Sequence, residues 1–272
     1  MGRLWSEIDR YEVSRGTLVL WWLYQAGIVV KSPGGTIVAV DPYVSDAVRR
    51  SYHLPRNAPA LLDPAEVELD ALLATHSHED HLDPDSIGGF MGHGRTRFIG
   101  PPMAVDKVLA AGFGPDRVVA VARGDRVEVG DLSIRTVFAR HEFGAEPTPD
   151  AVGFVLEHAG VSVYHSGDTE YDSRIVEDTT GVSLSLVPIN GTTGNMNVHE
   201  AAMLAFRQGA RTAVPFHYGL WRDSDYGVGA TLDPTVFVDT YRRLKADADA
   251  LVLNAGAPVV ITSSGRMSAP HS

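Results

Sequence analysis

The sequence predicts an α/β protein in which two packed β-sheets are covered by helices on their outer faces. Three observations favour this class. The chain has 272 residues, of which 44% are hydrophobic, enough for a sizeable core. Short runs rich in β-branched and aromatic residues recur along it, and from about residue 69 they alternate with helical patterns. No linker, charge block or clear repeat interrupts the pattern, so we expect one domain over residues 1–272.

The first forty residues predict an antiparallel meander. Strands are expected over 17–23, 27–31 and 36–40, with a Ser-Pro-Gly-Gly turn between the last two. Trp21 and Trp22 are adjacent in the first strand, so their side chains face opposite sides of the sheet. We therefore expect one of them in the core and the other under a second layer.

Residues typical of helix ends predict helices between the later strands. Pro102 opens and Gly112 closes one helix, Asn197 and Glu200 form a variant capping box before a helix that runs to about residue 208, and Asp233-Pro234 opens a helix that runs to about residue 245. Further strands are expected over 69–75, 97–100, 117–121, 126–129, 132–138, 152–157, 161–165, 184–189, 212–216, 251–254 and 259–262.

The composition limits the classes of function. With 23 Lys and Arg against 34 Asp and Glu, the formal net charge is −11, which repels phosphate polymers and anionic membrane surfaces. We therefore expect neither nucleic acid nor a membrane as a partner. The chain has no Cys and 11 His, so any metal must be held by His, Asp or Glu.

No segment predicts export or membrane insertion. The longest uncharged apolar stretch, 17–30, is shorter than the roughly 20 residues of a membrane-spanning helix. A turn is also expected within it, at Tyr24-Gln25-Ala26-Gly27. The first residues lack the basic region, apolar run and cleavage site of a signal peptide. We expect a cytoplasmic protein.

The strongest chemical signal is His76-Ser77-His78-Glu79-Asp80-His81, directly after a predicted strand. A chance His-x-His-x-Asp-His should occur in about one sequence in a thousand of this composition. In extended backbone, residues two apart point the same way, so His76 and His78 can reach one ion. Asp80 and His81 then turn towards a second position. The alternative is a solvated polar turn.

Two ligands do not complete a catalytic metal site, which normally has three protein ligands and one position for water. Three further candidates follow predicted strands: His141, Asp168 in a Gly-Asp-Thr segment, and His217 in a Pro-Phe-His segment. Each alone would more often be a hydrogen-bonded structural residue, but together with the first motif they form a set.

This set resembles the metallo-β-lactamase superfamily and, within it, the L-ascorbate-6-phosphate lactonase family. The run Gly16-Thr17-Leu18-Val19-Leu20-Trp21-Trp22-Leu23 and the segments Tyr164-His165-Ser166-Gly167-Asp168 and Val214-Pro215-Phe216-His217 are also similar to that family. The similarity extends from about residue 16 to 222. It implies an αββα sandwich, which agrees with the two sheets predicted above.

The resemblance also implies a ligand set. One divalent ion would be held by His76, His78 and His141, a second by Asp80, His81 and His217, with Asp168 bridging them. His and carboxylate ligands suit Zn or Mn, with Fe as a further option, and one or two ions per chain are expected. If only one ion binds tightly, Asp80 is the candidate general base for the attacking water, and Asp168 is the second candidate.

Supporting and substrate-binding roles are predicted for residues outside the ligand set. Asp41 is a candidate to accept a hydrogen bond from a ligand histidine, with a turn-forming Asp-Pro as the alternative. His165 is a candidate to orient the Gly-Asp-Thr loop, or a core histidine. Predicted contacts to an anionic substrate, with surface arginines as the alternative for the basic members, are Arg49, Arg56, Asn195, Tyr218 and Arg222.

The sequence thus predicts a metal-dependent hydrolase. We expect it to use metal-activated water on a small, anionic substrate, opening a lactone of a sugar acid that could be phosphorylated. Two alternatives remain open at this point: a metal-dependent phosphodiesterase, and a non-catalytic metal-binding scaffold. Assembly into a homo-oligomer is also left open.

Overall fold

The structure is a computed structural model that describes residues 2–142, 146–247, 249–265 and 267–268. Its helices, in chain order, are α1 (Arg3–Arg10), α2 (Ala47–Tyr52), α3 (Ile87–Gly92), α4 (Pro102–Ala110), α5 (Ser173–Thr179), α6 (Val198–Arg207) and α7 (Pro234–Leu244). No helix within these ranges has the length and apolar character needed to cross a bilayer.

The strands alternate with these helices. They are β1 (Thr17–Trp22), β2 (Ile28–Lys31), β3 (Ile37–Val40), β4 (Ala71–Leu73), β5 (Arg97–Gly100), β6 (Val118–Ala120), β7 (Arg126–Val129), β8 (Leu132–Phe138), β9 (Val152–His158), β10 (Val161–His165), β11 (Leu184–Pro188), β12 (Thr212–Phe216), β13 (Asp249–Ala250), β14 (Pro258–Thr262) and β15 (Met267–Ser268).

The strands form two mixed sheets, which confirms the predicted αββα class. The first has the order β15-β14-β1-β2-β3-β4-β5-β6 and the second β13-β12-β11-β10-β9-β8-β7. The predicted meander is present, since β1, β2 and β3 pair antiparallel. From β3 to β6 the pairing is parallel, and β10, β11 and β12 are also parallel. Parallel neighbours end at the same edge of a sheet, and this edge carries the candidate site.

The core has an inner and an outer layer. The inner layer lies between the sheets and includes Trp22, whereas Trp21 packs with α1 residues Trp5 and Ile8 in the outer layer. Adjacent strand residues therefore serve opposite faces, as the sequence predicts.

Four helices and two strands differ from the sequence prediction, and one of these strands is β15, where none was predicted. The helices α1, α2, α3 and α5 were not predicted; each has ten residues or fewer, too short for a strong periodic pattern. In α1 the signal was present, because Leu4, Trp5 and Ile8 form one buried face. The strand expected over 251–254 is wrong: the pairing with β12 is made by β13 (Asp249–Ala250), which ends directly before residue 251.

Asp131 connects the two sheets at one end. It lies in the β7–β8 turn and accepts hydrogen bonds from Gly34 N (2.8 Å), Thr36 Oγ1 (2.7 Å) and Ser32 Oγ, all in the β2–β3 turn. Burial alone would raise the pKa of Asp131, but these donors outweigh it and lower the pKa.

We expect Asp131→Ala to lower the free energy of unfolding by about 1–3 kcal/mol at pH 7, because three donors lose a charged acceptor. The depressed pKa means that this stabilisation is present above about pH 4 and is lost as the pH falls through the folded-state value. Urea unfolding of both proteins at pH 7 and at lower pH tests this. The exposed Asp116→Ala is the control; equal stability of wild type and Asp131→Ala at pH 7 would contradict it.

Candidate metal centre

The candidate ligands all follow strands. Asp41 follows β3 and the His76 loop follows β4, so the parallel pairing of these strands puts the two loops side by side. In the second sheet, Asp168 lies three residues beyond β10, and His217 directly follows β12. Asp41 (φ 49°) and His217 (φ 66°) have left-handed backbone that is uncommon outside glycine. The surrounding structure therefore fixes their positions at a cost in strain.

The loops of the two sheets meet at Gly167. This residue has φ 60°, and a Cβ atom there would lie 2.6 Å from Cβ of Thr75. Glycine is thus required both for the backbone conformation and for the close approach. The contact brings Asp168 next to the His76 loop.

One set of nitrogens, here called the first group, belongs to His76, His78 and His141. His78 Nδ1 lies 2.9 Å from His76 Nε2 and 3.3 Å from His141 Nε2. Two nitrogens bound to one tetrahedral ion at about 2.1 Å lie about 3.4 Å apart. The separations in the first group therefore suit a single ion.

The second group consists of Asp80, His81 and His217. Asp80 Oδ2 lies 3.6 Å from His81 Nε2 and 3.5 Å from His217 Nε2. These distances also suit shared coordination of one ion.

Asp168 lies between the two groups. Its Oδ1 is 3.2 Å from His81 Nε2 and 3.0 Å from His217 Nε2, both in the second group. Its Oδ2 faces the first group, 3.8 Å from His141 Nε2, and accepts a hydrogen bond from Asn195 Nδ2 at 2.8 Å. One carboxylate therefore presents an oxygen to each group.

Hydrogen bonds on the remote ring nitrogens hold the histidines. His81 Nδ1 donates to Asp41 Oδ2 at 2.7 Å, and His78 Nε2 donates to the Glu146 carbonyl at 2.7 Å. His141 Nδ1 donates to the Gly194 carbonyl at 3.3 Å. Each bond leaves the opposite nitrogen as a lone-pair donor facing the cluster, which is the arrangement that metal-binding histidines use.

The two supporting residues predicted from sequence are both buried here. Asp41 also accepts from Thr75 N and Thr75 Oγ1, so it ties the β3 end to the β4 end. His165 donates to the Ala26 carbonyl at 2.7 Å and accepts from Gly167 N at 3.2 Å. It is both a satisfied core histidine and a neighbour of the Asp168 loop.

The carboxylates of the cluster favour protonated histidines in the second group. Burial alone would lower the pKa of His217, but Asp168 and Asp80 outweigh it and raise the pKa to about 9. Burial would raise the pKa of Asp168, but His217 and His81 outweigh it and hold the pKa well below the usual value. In the first group, burial lowers the pKa of His76 and His141, which keeps these rings neutral.

Two buried atoms provide a test of whether this donor set fits a metal. His81 Nε2 and Asp168 Oδ1 make no hydrogen bond to any residue that the structure describes. Buried polar atoms almost always have a partner, and an unpaired one is costly. A divalent cation would satisfy both atoms, so the residues present fit a metal ion.

Gln25 is part of the site, although the sequence predicted only a turn at this position. It is fully buried at φ 51°. Its backbone carbonyl accepts from His217 N at 3.1 Å, and its amide nitrogen lies 3.0 Å from His217 Nδ1 and 3.4 Å from Asp80 Oδ2. The hydroxyl of Tyr226 donates to its Oε1 at 3.0 Å. A polar residue within an apolar stretch was the only sequence signal for this role.

We expect Gln25→Leu to weaken binding of a divalent ion by the second group about 10–100-fold, because it removes the side chain that positions His217. Competition with a chromophoric chelator, together with a metal count per chain, measures this. Tyr226→Phe keeps the contact of Gln25 with His217 and should change the affinity only about twofold. Equal affinities in wild type and Gln25→Leu would contradict a positioning role.

A cavity of about 230 Å³ opens over both groups. Candidate ligands that line it are His78, Asp80, His141, Asp168 and His217. Part of the polar loop after β11 also faces it, through Asn190, Thr192 and Thr193.

The three arginines predicted to contact an anionic substrate do not line this cavity. Arg49 is exposed on α2. Arg56 is half-buried and donates to the Tyr43 carbonyl at 2.7 Å, where it has a structural role. Arg222 is exposed and forms an ion pair with Asp225 at 3.1 Å. These arginines lie close in sequence to predicted site residues, but their side chains do not point into the cavity.

The other two predicted substrate contacts also lie outside the cavity lining. Tyr218 is buried and packs against Trp22 with ring centroids 5.3 Å apart. Asn195 is buried behind Asp168, to which it donates, and its Oδ1 accepts from Thr169 N at 2.8 Å. Asn195 thus orients a candidate ligand and does not face the cavity.

A sandwich of two mixed sheets with a His/Asp cluster at the strand ends defines a protein of the metallo-β-lactamase fold. The family described as "Beta-lactamase superfamily domain" matches residues 36–218, and the chain belongs to this family. Membership confirms the resemblance to this superfamily that the sequence shows.

Three similar proteins illustrate this membership. UlaG of Escherichia coli, a probable L-ascorbate-6-phosphate lactonase, is 29% identical over 260 residues, which cover 79% of this chain and 73% of UlaG. Igni18, a metallo hydrolase from Ignicoccus hospitalis, has a TM-score of 0.68 at 20% identity and covers 90% of this chain and 98% of its own. CmlA, a diiron β-hydroxylase from Streptomyces venezuelae, has a TM-score of 0.66 at 16% identity, covering 92% and 55%. The two structural likenesses show the fold alone.

Proposed function

We propose that this chain is a metal-dependent hydrolase that opens a lactone. The observation that carries the proposal is the placement of Asp168 between two three-residue groups, at a cavity large enough for a small molecule. The similarity to UlaG, at 29% identity, supports a lactone as the substrate. The same seven residues would hold one or two divalent ions, as predicted from the sequence.

A bound divalent ion would lower the pKa of water towards neutrality and polarise the substrate carbonyl. The chain's own residues would supply the rest. Asp80 faces the cavity and is the candidate to take a proton from the attacking water, with Asp168 as the second candidate. Hydrogen bonds from His81 to Asp41 and from Asn195 to Asp168 fix the positions of the ligating atoms. No Ser or Cys nucleophile is needed.

We also propose zinc or manganese as the resident metal, with iron as the alternative. A set of five imidazole and two carboxylate ligands does not discriminate strongly among these ions. Elemental analysis of protein purified without added metal, followed by reconstitution of the metal-free protein with each ion, identifies the one that restores most activity.

A panel of lactones assayed beside bis(p-nitrophenyl) phosphate tests the reaction. Metal-dependent lactone opening with little phosphodiester hydrolysis is expected. Preferential phosphodiester hydrolysis would instead support the second enzyme class. Metal binding with no turnover of either substrate would favour a scaffold.

A further inference from the structure

We infer that the cavity selects an uncharged substrate that carries an apolar, aryl-sized substituent, and that it disfavours phosphorylated or carboxylated substrates. This inference rests on the proposed function, because it names the substrate class of the same site. It departs from the anionic substrate that the sequence predicts. Three features of the cavity carry it: its charge, the engagement of nearby arginines, and its apolar wall.

The charge of the cavity is the first feature. Five carboxylates line it, and no Lys or Arg is present among the lining residues that the structure describes. Two of the carboxylates, Asp80 and Asp168, belong to the candidate ligand set. The other three are Glu79, Glu146 and Asp225. Two divalent ions would add four positive charges, and Arg222, paired with Asp225 at 3.1 Å, adds one more. These charges only balance the five carboxylates, so the cavity would still lack a net positive charge to attract a second anionic group of the substrate.

The arginines near the cavity already have partners in the protein, and Arg222 forms an ion pair with the lining residue Asp225 at 3.1 Å. Arg56 donates to the Tyr43 carbonyl at 2.7 Å and to the Ala58 carbonyl at 3.2 Å, and it stacks over the Tyr43 ring. Arg50 makes a two-point ion pair with Asp85, at 2.6 and 2.7 Å. Binding of phosphate by a fork-shaped guanidinium would require these bonds to break.

The apolar wall is the third feature. Aliphatic and aromatic side chains also line the cavity: Val48, Tyr52, Leu54, Trp221 and Tyr226. The Trp221 and Tyr226 rings pack edge to face with centroids 5.5 Å apart, and Trp221 also contacts Tyr43 at 6.3 Å. Aromatic surfaces held in this way bind apolar groups with little loss of side-chain freedom.

The cavity volume limits the size of the substrate. At about 230 Å³, it is smaller than the roughly 300–1,000 Å³ of pockets for drug-sized ligands. A single lactone ring with one phenyl or short branched alkyl substituent is therefore the substrate class that the wall and the volume fit together.

Binding and turnover are measured separately on the metal-loaded protein. The binding probes are five-membered lactams, which resist hydrolysis, carrying a benzyl group, a carboxymethyl group or no substituent. Isothermal titration calorimetry should give a dissociation constant for the benzyl lactam at least about tenfold lower than for the carboxymethyl lactam, since the aryl ring leaves water for an apolar wall. Turnover of the corresponding lactones is then compared by kcat/KM.

Two variants sharpen the result. Trp221→Ala should weaken benzyl lactam binding about tenfold and change that of the unsubstituted lactam by no more than about twofold. Tyr171→Ala removes an exposed aromatic ring outside the cavity lining and should change neither. Tighter binding of the carboxymethyl lactam, or a Trp221→Ala protein that binds all three lactams as the wild type does, would overturn the inference.

The two proposals can fail independently. Lactone opening with a preference for the carboxymethyl compound overturns the substrate class and leaves the proposed function standing. Benzyl-selective lactam binding with no opening of any lactone supports the cavity's selectivity and overturns the proposed reaction.

Discussion

Replacing Asp168 by asparagine is expected to lower kcat/KM for lactone opening by at least about a thousandfold. Asp168 presents Oδ1 to His81 and His217 at 3.2 and 3.0 Å, and Oδ2 to His141 at 3.8 Å. The amide keeps the shape of the side chain but loses the negative charge and one acceptor. Both groups would therefore bind a cation less tightly, and the number of ions per chain should fall.

Steady-state kinetics and elemental analysis of the same preparation check this prediction. Asp172→Asn is the matched control, because it makes the same chemical change four positions later. Asp172 caps α5 by accepting from Arg174 N, and asparagine caps helices about as well. The kcat/KM of the Asp172→Asn control should stay within about twofold of the wild-type value. An Asp168→Asn protein with more than a tenth of wild-type activity and a full metal content would contradict the bridging role.

Chelation is expected to lower the thermal midpoint by about 10 °C. An ion present at about a thousand times its dissociation constant stabilises the native state by about 4 kcal/mol, and each kcal/mol shifts the midpoint of a domain this size by about 2–4 °C. Removing the ion also leaves buried atoms such as His81 Nε2 without a partner. Differential scanning calorimetry with and without EDTA measures the shift, and added Zn or Mn should reverse it.

His76→Ala provides the comparison for this experiment. His76 belongs to the first group and also lies within reach of His81 and Asp168. The variant should melt lower than wild type and respond less to EDTA. A wild-type midpoint that ignores EDTA, in protein shown to contain metal beforehand, would mean that the metal is not held by this buried cluster.

The sequence predicted most of the fold because its strands are short and bounded by clear turns. The run 126–129 and the run 161–165 correspond residue for residue to β7 and β10. The capping box at Asn197 is also present, with both of its hydrogen bonds formed. Helices of six to eight residues, such as α2 and α5, gave too few positions for a periodic signal.

The candidate site was predictable to different degrees. The cluster around His76 is local in sequence, so its spacing alone indicated metal binding. His141, Asp168 and His217 are distant from it and from one another, and the family resemblance linked them. Gln25 had no such signal, because its contact with His217 depends on a left-handed turn and on the packing of one sheet against the other.

Side-chain direction explains why the predicted substrate contacts differ from the cavity lining. Arg222 follows His217 closely in sequence, yet an ion pair with Asp225 holds it at the surface. Trp221, its neighbour, is the residue that faces the cavity. A change of one position reverses the side that a residue faces in extended chain, and composition gives no information on that choice.

The most direct test of the central claim is a titration of metal-free protein with Mn or Zn, in which bound metal and lactone-opening activity are measured on the same samples. We expect no activity without metal, and activity that rises with bound ions and reaches its plateau at no more than two per chain. Lactone opening at the full rate in the metal-free protein, or stoichiometric metal binding that restores no hydrolysis of any lactone in the panel, would contradict the claim.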